Sequence, residues 1–133
     1  MIFDLKEDFK MMGESGEEYT FKMFGFSNFD ELQEFFKDYN SPGLYVFAKR
    51  SKSSVGSYFV HDPIYLGQTG NFNDRNFVAH HKRGEIEALN VHSIGIMITD
   101  GISDEKRKEM EKDLLSINDL RLNTVNNCYP NRH

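Results

Sequence analysis

The apolar positions of the chain change period several times. Ile2, Leu5, Phe9 and Met12 follow helical spacing and predict a short amphipathic helix, broken by Gly13-Glu14-Ser15-Gly16. Tyr19, Phe21 and Met23 alternate with Thr20 and Lys22, the period of a half-buried strand. Asn28 with Glu31 forms a capping-box pattern ahead of Leu32, Phe35, Phe36 and Tyr39, which fall at i, i+3, i+4 and i+7. Ser41-Pro42 ends that helix, because the residue before proline is pushed out of the helical region.

Gly43 to Ala48 is a continuous apolar strand, and Ile64 to Gly67 is its return. Between them lies the polar stretch 49–57, either a solvated hairpin tip or a basic finger for a phosphate backbone. Gln68-Thr69-Gly70-Asn71 turns the chain, and Asn73 is placed to cap a helix over roughly 74–82, with Gly84 beyond its end. His92 to Thr99 contains Ile94, Ile96, Met97 and Ile98, a third strand. Ser103 caps a helix to about Asn118, with Asp104 and Glu105 in the first turn, where the helix dipole favours acids. The order predicts an α/β fold, with a small, mainly antiparallel central sheet of three or more strands flanked by helices. Residues 1–40 are expected to form an N-terminal helix/strand extension packed on a domain of residues 41–133; a partner-binding arm is the other reading.

Composition narrows the classes. The 133 residues suit one domain, and twelve Phe and six Tyr supply its core. A net charge of −5 argues against gripping nucleic acid by bulk electrostatics, yet the charge is uneven. Residues 1–40 carry four Lys against ten acids, whereas residues 49–83 carry six basic residues against two acidic ones. Cys128 is the single cysteine, so no intrachain disulfide can form and a reducing, cytoplasmic setting is expected. No apolar run of about 18 residues is present, so no membrane partner is expected.

Glu111 is the most informative acid. At about 100° per residue its direction falls between Leu114 and Leu115, beside the buried side set by Met110, Leu114 and Ile117. A carboxylate there meets an arginine or a divalent metal, or reaches water at the border. Arg75, Tyr45, Tyr65 and Asn126, taken singly, read as a surface arginine, two sheet aromatics and a loop asparagine. The cysteine has no activating neighbour, and the adjacent His80-His81 lacks the i, i+4 spacing of a helical metal pair.

Together these residues form a pattern. Gly43-Leu44-Tyr45 followed by Tyr65-Leu66-Gly67 resembles the paired signature of the GIY-YIG nuclease superfamily. Arg75 stands where that family has its phosphate-binding arginine, Glu111 resembles its metal-binding glutamate, and Asn126 lies where its closing asparagine is expected. The likeness covers roughly residues 41–127. It implies a DNA endonuclease, with RNA not excluded, using Mg2+ or Mn2+ held by Glu111. In that scheme Tyr45 helps activate water, Tyr65 supports it, Arg75 stabilises charge on the phosphate, and Asn126 orients the site. Lys49, Arg50, Lys52, Lys82 and Arg83 are the expected nucleic-acid contacts. A homo-oligomer would provide a second active site, and a non-catalytic binding module of the same fold is the rival reading.

Three departures stand out. The spacer between the tripeptides is 19 residues, longer than the family usually has. The family histidine, one turn after the arginine, would fall on Ala79; His80 comes one residue late and on an ideal helix points about 140° from Arg75. Gln68 occupies the place of a family lysine, one cation fewer.

Overall fold

A computed structural model describes residues 2–126, with side chains described through Asn123. Five strands form one antiparallel sheet: β1 (Phe3–Met12), β2 (Glu18–Gly25), β3 (Gly43–Lys52), β4 (Phe59–Thr69) and β5 (Ser93–Ile98), in the order β1-β2-β5-β3-β4. The helices are α1 (Phe29–Phe35), α2 (Arg83–Ala88), α3 (Asp104–Ile117) and α4 (Arg121–Asn126), with short 3-10 turns at Phe36–Asp38 and Phe72–Asp74. The α/β expectation with an antiparallel sheet holds. Among the described residues, no helix is long and apolar enough to cross a membrane.

Residues 43–48 of β3 are buried throughout because both sheet faces are covered. Tyr45 and Phe47 pack with Phe29, Leu32, Phe36, Phe72, Phe77 and Ile86. Leu44, Val46 and Ala48 pack with Phe21 and Met23 of β2 and with Met110 and Leu114 of α3. A helix–sheet–helix sandwich therefore explains the unbroken apolar run in β3, since neither side of the pleat faces water. Two glycines are demanded by close approach. A Cβ on Gly43 would collide with the Met97 carbonyl, and one on Gly67 would overlap the Tyr45 phenol.

Residues 2–12 are a strand, correcting the helix expected there. Leu5, Glu7, Phe9 and Met11 face inward with period two, and Glu7 interrupts the apolar alternation that would have revealed it. The register shifts between Asp4 and Asp8, and Lys6 takes a left-handed φ of 57° at that irregularity. Glu7 accepts from Arg50 Nε of β3 at 3.0 Å and pairs with His61 Nε2 of β4 at 2.8 Å. Because β1 and β4 are opposite edges of the sheet, this cluster ties the two ends of a curled sheet together. Residues 1–40 thus contribute two strands and α1 to the same sheet and core.

The helix expected over 74–82 is also corrected. Asn71 caps a single 3-10 turn, and Arg75 leaves it with extended backbone at ψ 123°. Side chains then satisfy the backbone groups that helix bonds would otherwise use. Gln33 of α1 donates to Arg75 O at 3.0 Å and accepts from the N–H groups of Phe77 and Val78. Asn76 Oδ1 accepts from Ala79 N, and regular helix resumes only at Arg83, so Gly84 lies inside α2. The β3–β4 hairpin is longer than the pattern suggested: the strands take in residues 49–52 and 59–63, leaving 53–58 as the turn.

Candidate functional site

Tyr45 projects from β3 beneath the irregular 75–82 segment and is fully buried. Its phenol oxygen lies 3.0 Å from Arg75 Nη2 and 2.8 Å from His80 Nε2. His80 Nδ1 accepts the backbone N–H of Lys82 at 3.0 Å, so that nitrogen carries no proton. Burial, reinforced by the charges of Arg75 and its neighbours, drops the His80 pKa to about 3. The ring is therefore neutral at pH 7, protonated on Nε2, and donates to the Tyr45 oxygen as Arg75 does. With two N–H donors on its oxygen, the phenol must aim its own hydrogen elsewhere. Loss of the helix over 74–82 is what lets Arg75 and His80 reach one atom, despite the angle between them on an ideal helix.

Tyr65 of β4 lies beside Tyr45, with ring centroids 6.3 Å apart. Its hydroxyl is 3.5 Å from His81 Nε2, the limit of a hydrogen bond. The two histidine rings stack at 4.8 Å. Burial raises the pKa of both phenols; Arg75 opposes this at each, while the charge of Glu111 adds to it.

Glu111 is half-buried on the inner border of α3. Burial raises its pKa, offset by the nearby positive charges of Arg107, Arg75 and Lys108 in that order. The described residues form no hydrogen bond or ion pair with its carboxylate, leaving its oxygens open to a ligand. Among the described residues no three His, Cys, Asp or Glu side chains cluster as a protein cage would. A single open carboxylate fits a hard cation such as Mg2+, which keeps most of its waters and takes the rest of its ligands from substrate.

Tyr45, Tyr65, Arg75, His80 and Glu111 thus form one electrostatic neighbourhood. Arg75 also lines an open groove of about 600 Å3 with Thr69, Gly70, Asn71, Asp74 and Asn76. The side chain of Asn126 lies outside the described residues. Asn123, one turn earlier, instead mimics a neighbouring strand: its Oδ1 accepts from Leu66 N at 2.7 Å and its Nδ2 donates to Leu66 O at 3.0 Å. That pair of bonds satisfies the backbone of edge strand β4.

Most of the cations expected at phosphates are engaged within the protein. Lys49 donates to Leu89 O, and Arg50 pairs with Glu7 while lying 3.5 Å from the Phe59 ring centroid. Lys82 is buried against Glu85, and Arg83 meets Glu87 and Val78 O. Lys52 is exposed, without an ion pair or hydrogen bond among the described residues.

Sequence reasoning missed Gln33, Asn123 and Arg107. Arg107 falls on the buried stripe of α3 with Met110 and Leu114, and its Nε donates to Gln68 Oε1 at 2.8 Å. A charge at i of an i, i+3, i+7 apolar stripe was the readable signal. Gln68 is therefore the anchor of a cation rather than the simple loss of one. No protein-family model matches the chain, and neither a curated protein nor a solved structure matches it.

Proposed function

We propose that this chain is a GIY-YIG-type endonuclease that hydrolyses DNA phosphodiester bonds with Mg2+ or Mn2+. The observation that carries the reading is the convergence of Arg75 and His80 on the Tyr45 oxygen, within range of the charge of a half-buried carboxylate that has no donor among the described residues. Tyr45 is the general base: its phenol gives its proton to solvent, and the phenolate, held by two N–H donors against the effect of burial, takes a proton from the attacking water. Arg75, bordering the groove, stabilises charge developing on the scissile phosphate. His80 fixes the phenol and stays neutral, and Tyr65 completes the polar wall next to Glu111. Bound at Glu111, the divalent ion would supply positive charge to phosphate oxygens and lower the pKa of a coordinated water.

A non-catalytic nucleic-acid-binding or protein-interaction module is the second reading. Burial favouring protonated forms of both phenols supports it, as does the internal pairing of Lys49, Arg50, Lys82 and Arg83. Supercoiled plasmid with Mg2+ or Mn2+ separates the two. Nicking by the wild type that Glu111→Ala abolishes is the result expected of the enzyme. An inert wild type that still retards DNA on a gel would overturn it in favour of the module. Parallel RNA substrates define the polymer, and light scattering with and without DNA tests whether a homo-oligomer supplies a second active site.

A further inference from the structure

Arg107 is a buried cation to which the reaction above gives no part. Its side chain is 3% exposed, yet only two edges of the guanidinium are paired. Nε donates to Gln68, and Nη2 reaches Asp104 Oδ1 at 2.8 Å, whereas Nη1 is buried without a partner among the described residues. Asp104 itself is 77% exposed. A Cβ added to Gly70 would lie 3.6 Å from Nη2, so the guanidinium sits against the backbone of a residue that also lines the Arg75 groove.

Burying an arginine is costly, and a purely structural one is expected to satisfy every edge. Here Gln68 fixes the Nε edge, a solvent-facing carboxylate covers Nη2, and Nη1, buried behind it, has no acceptor among the described residues. An ion pair whose carboxylate lies mostly in solvent is readily exchanged at that end. The Nη1–Nη2 fork is thus oriented from behind and covered in front by an anion that another anion can replace.

We propose that Arg107 is a second phosphate-binding residue: a phosphate oxygen displaces Asp104 from Nη2 and a neighbouring oxygen of that phosphate accepts from Nη1. This rests on the phosphodiesterase reading and deepens it. With Arg75 facing one phosphate and Arg107 another, the substrate is a polynucleotide strand rather than an isolated diester.

The test is fluorescence anisotropy of a labelled DNA duplex in EDTA, across a series of KCl concentrations. Arg107→Gln is expected to weaken binding by about ten- to a hundred-fold and to lower the slope of log Kd against log salt by about 0.9. Asp104→Asn is expected to tighten binding several-fold in the wild type and to have no effect in the Arg107→Gln background. Arg107→Lys, which keeps the charge without the fork, gives an intermediate loss and serves if Arg107→Gln does not fold. Folded Arg107 variants with wild-type affinity and salt slope would overturn the proposal, as would an Asp104→Asn gain that persists without Arg107. If Arg75→Gln weakens binding and Arg107→Gln does not, this assignment alone falls. If the wild type neither binds nor cuts DNA or RNA, the phosphodiesterase reading falls with it.

Discussion

Two charged clusters lie inside this small sheet, and they are built in opposite ways. At one, Glu7 receives Arg50 and His61 on its two oxygens, joining opposite sheet edges, with His61 Nδ1 the one buried atom there that lacks a partner among the described residues. At the other, Glu111 has no donor among the described residues, and Arg75 Nε and Arg107 Nη1 are buried without partners. Glu7, with its side chain 25% exposed, is thus paired where the half-buried Glu111 is not. The unpaired groups of the second cluster are what the endonuclease proposal draws on, whereas the first cluster joins opposite sheet edges.

The sharpest way to break the comparison is through the phenol. Tyr45→Phe keeps the packing and removes the oxygen on which Arg75 and His80 converge. The nicking rate is expected to fall by about a thousand-fold, with the far-ultraviolet dichroism unchanged. Gly67→Ala reaches the same atom sterically, because the added Cβ would overlap the phenol. It is expected to cost about a hundred-fold in rate and about 1–3 kcal/mol in urea unfolding.

The fold-serving cluster should show the reverse profile. Glu7→Gln strands Arg50 and His61, so it should destabilise by about 2 kcal/mol while nicking, normalised to folded protein, is retained.

His80 provides a pH signature. Its folded pKa of about 3 lies below the ordinary 6.5, so between those values the unfolded chain binds more protons than the folded one. Stability should therefore rise with pH from about 3 to 6.5, with the full contribution present above 6.5. Urea midpoints for His80→Gln should lack that part of the slope. The smallest effect is expected at Glu111→Gln, which relieves a desolvated carboxylate and should raise stability by about 1 kcal/mol, opposite in sign to Glu7→Gln.

How much of this was legible in the sequence depends on which forces set each element. The β3 run, the Asn28 cap of α1 and the Ser103 cap of α3 are local, and their patterns read directly. The positions of Tyr45, Tyr65 and Glu111 could be read because sheet pairing and one helix face set them, whereas Arg75 leaves a 3-10 turn on extended backbone that the helical pattern did not show. Strand β1 was not, because Glu7 occupies an inward position whose partners are more than forty residues away. Nor was the irregular 75–82 segment, since the groups replacing its helix bonds belong largely to Gln33 on another element. Asn123 and Asn126 look alike in sequence; only the docking of α4 on β4 distinguishes Asn123. Arg107 had a local signal, a charge on an apolar stripe, but its meaning depends on Gln68 across the sheet.

We propose that Glu111 is left open for a divalent ion near the Tyr45 oxygen. Crystals soaked in manganese and measured at the manganese absorption edge test it most directly. An anomalous peak is expected about 2.1 Å from a Glu111 carboxylate oxygen, absent in Glu111→Gln. Manganese bound only elsewhere, with the Glu111 carboxylate turned to solvent or paired to Arg107, would contradict it.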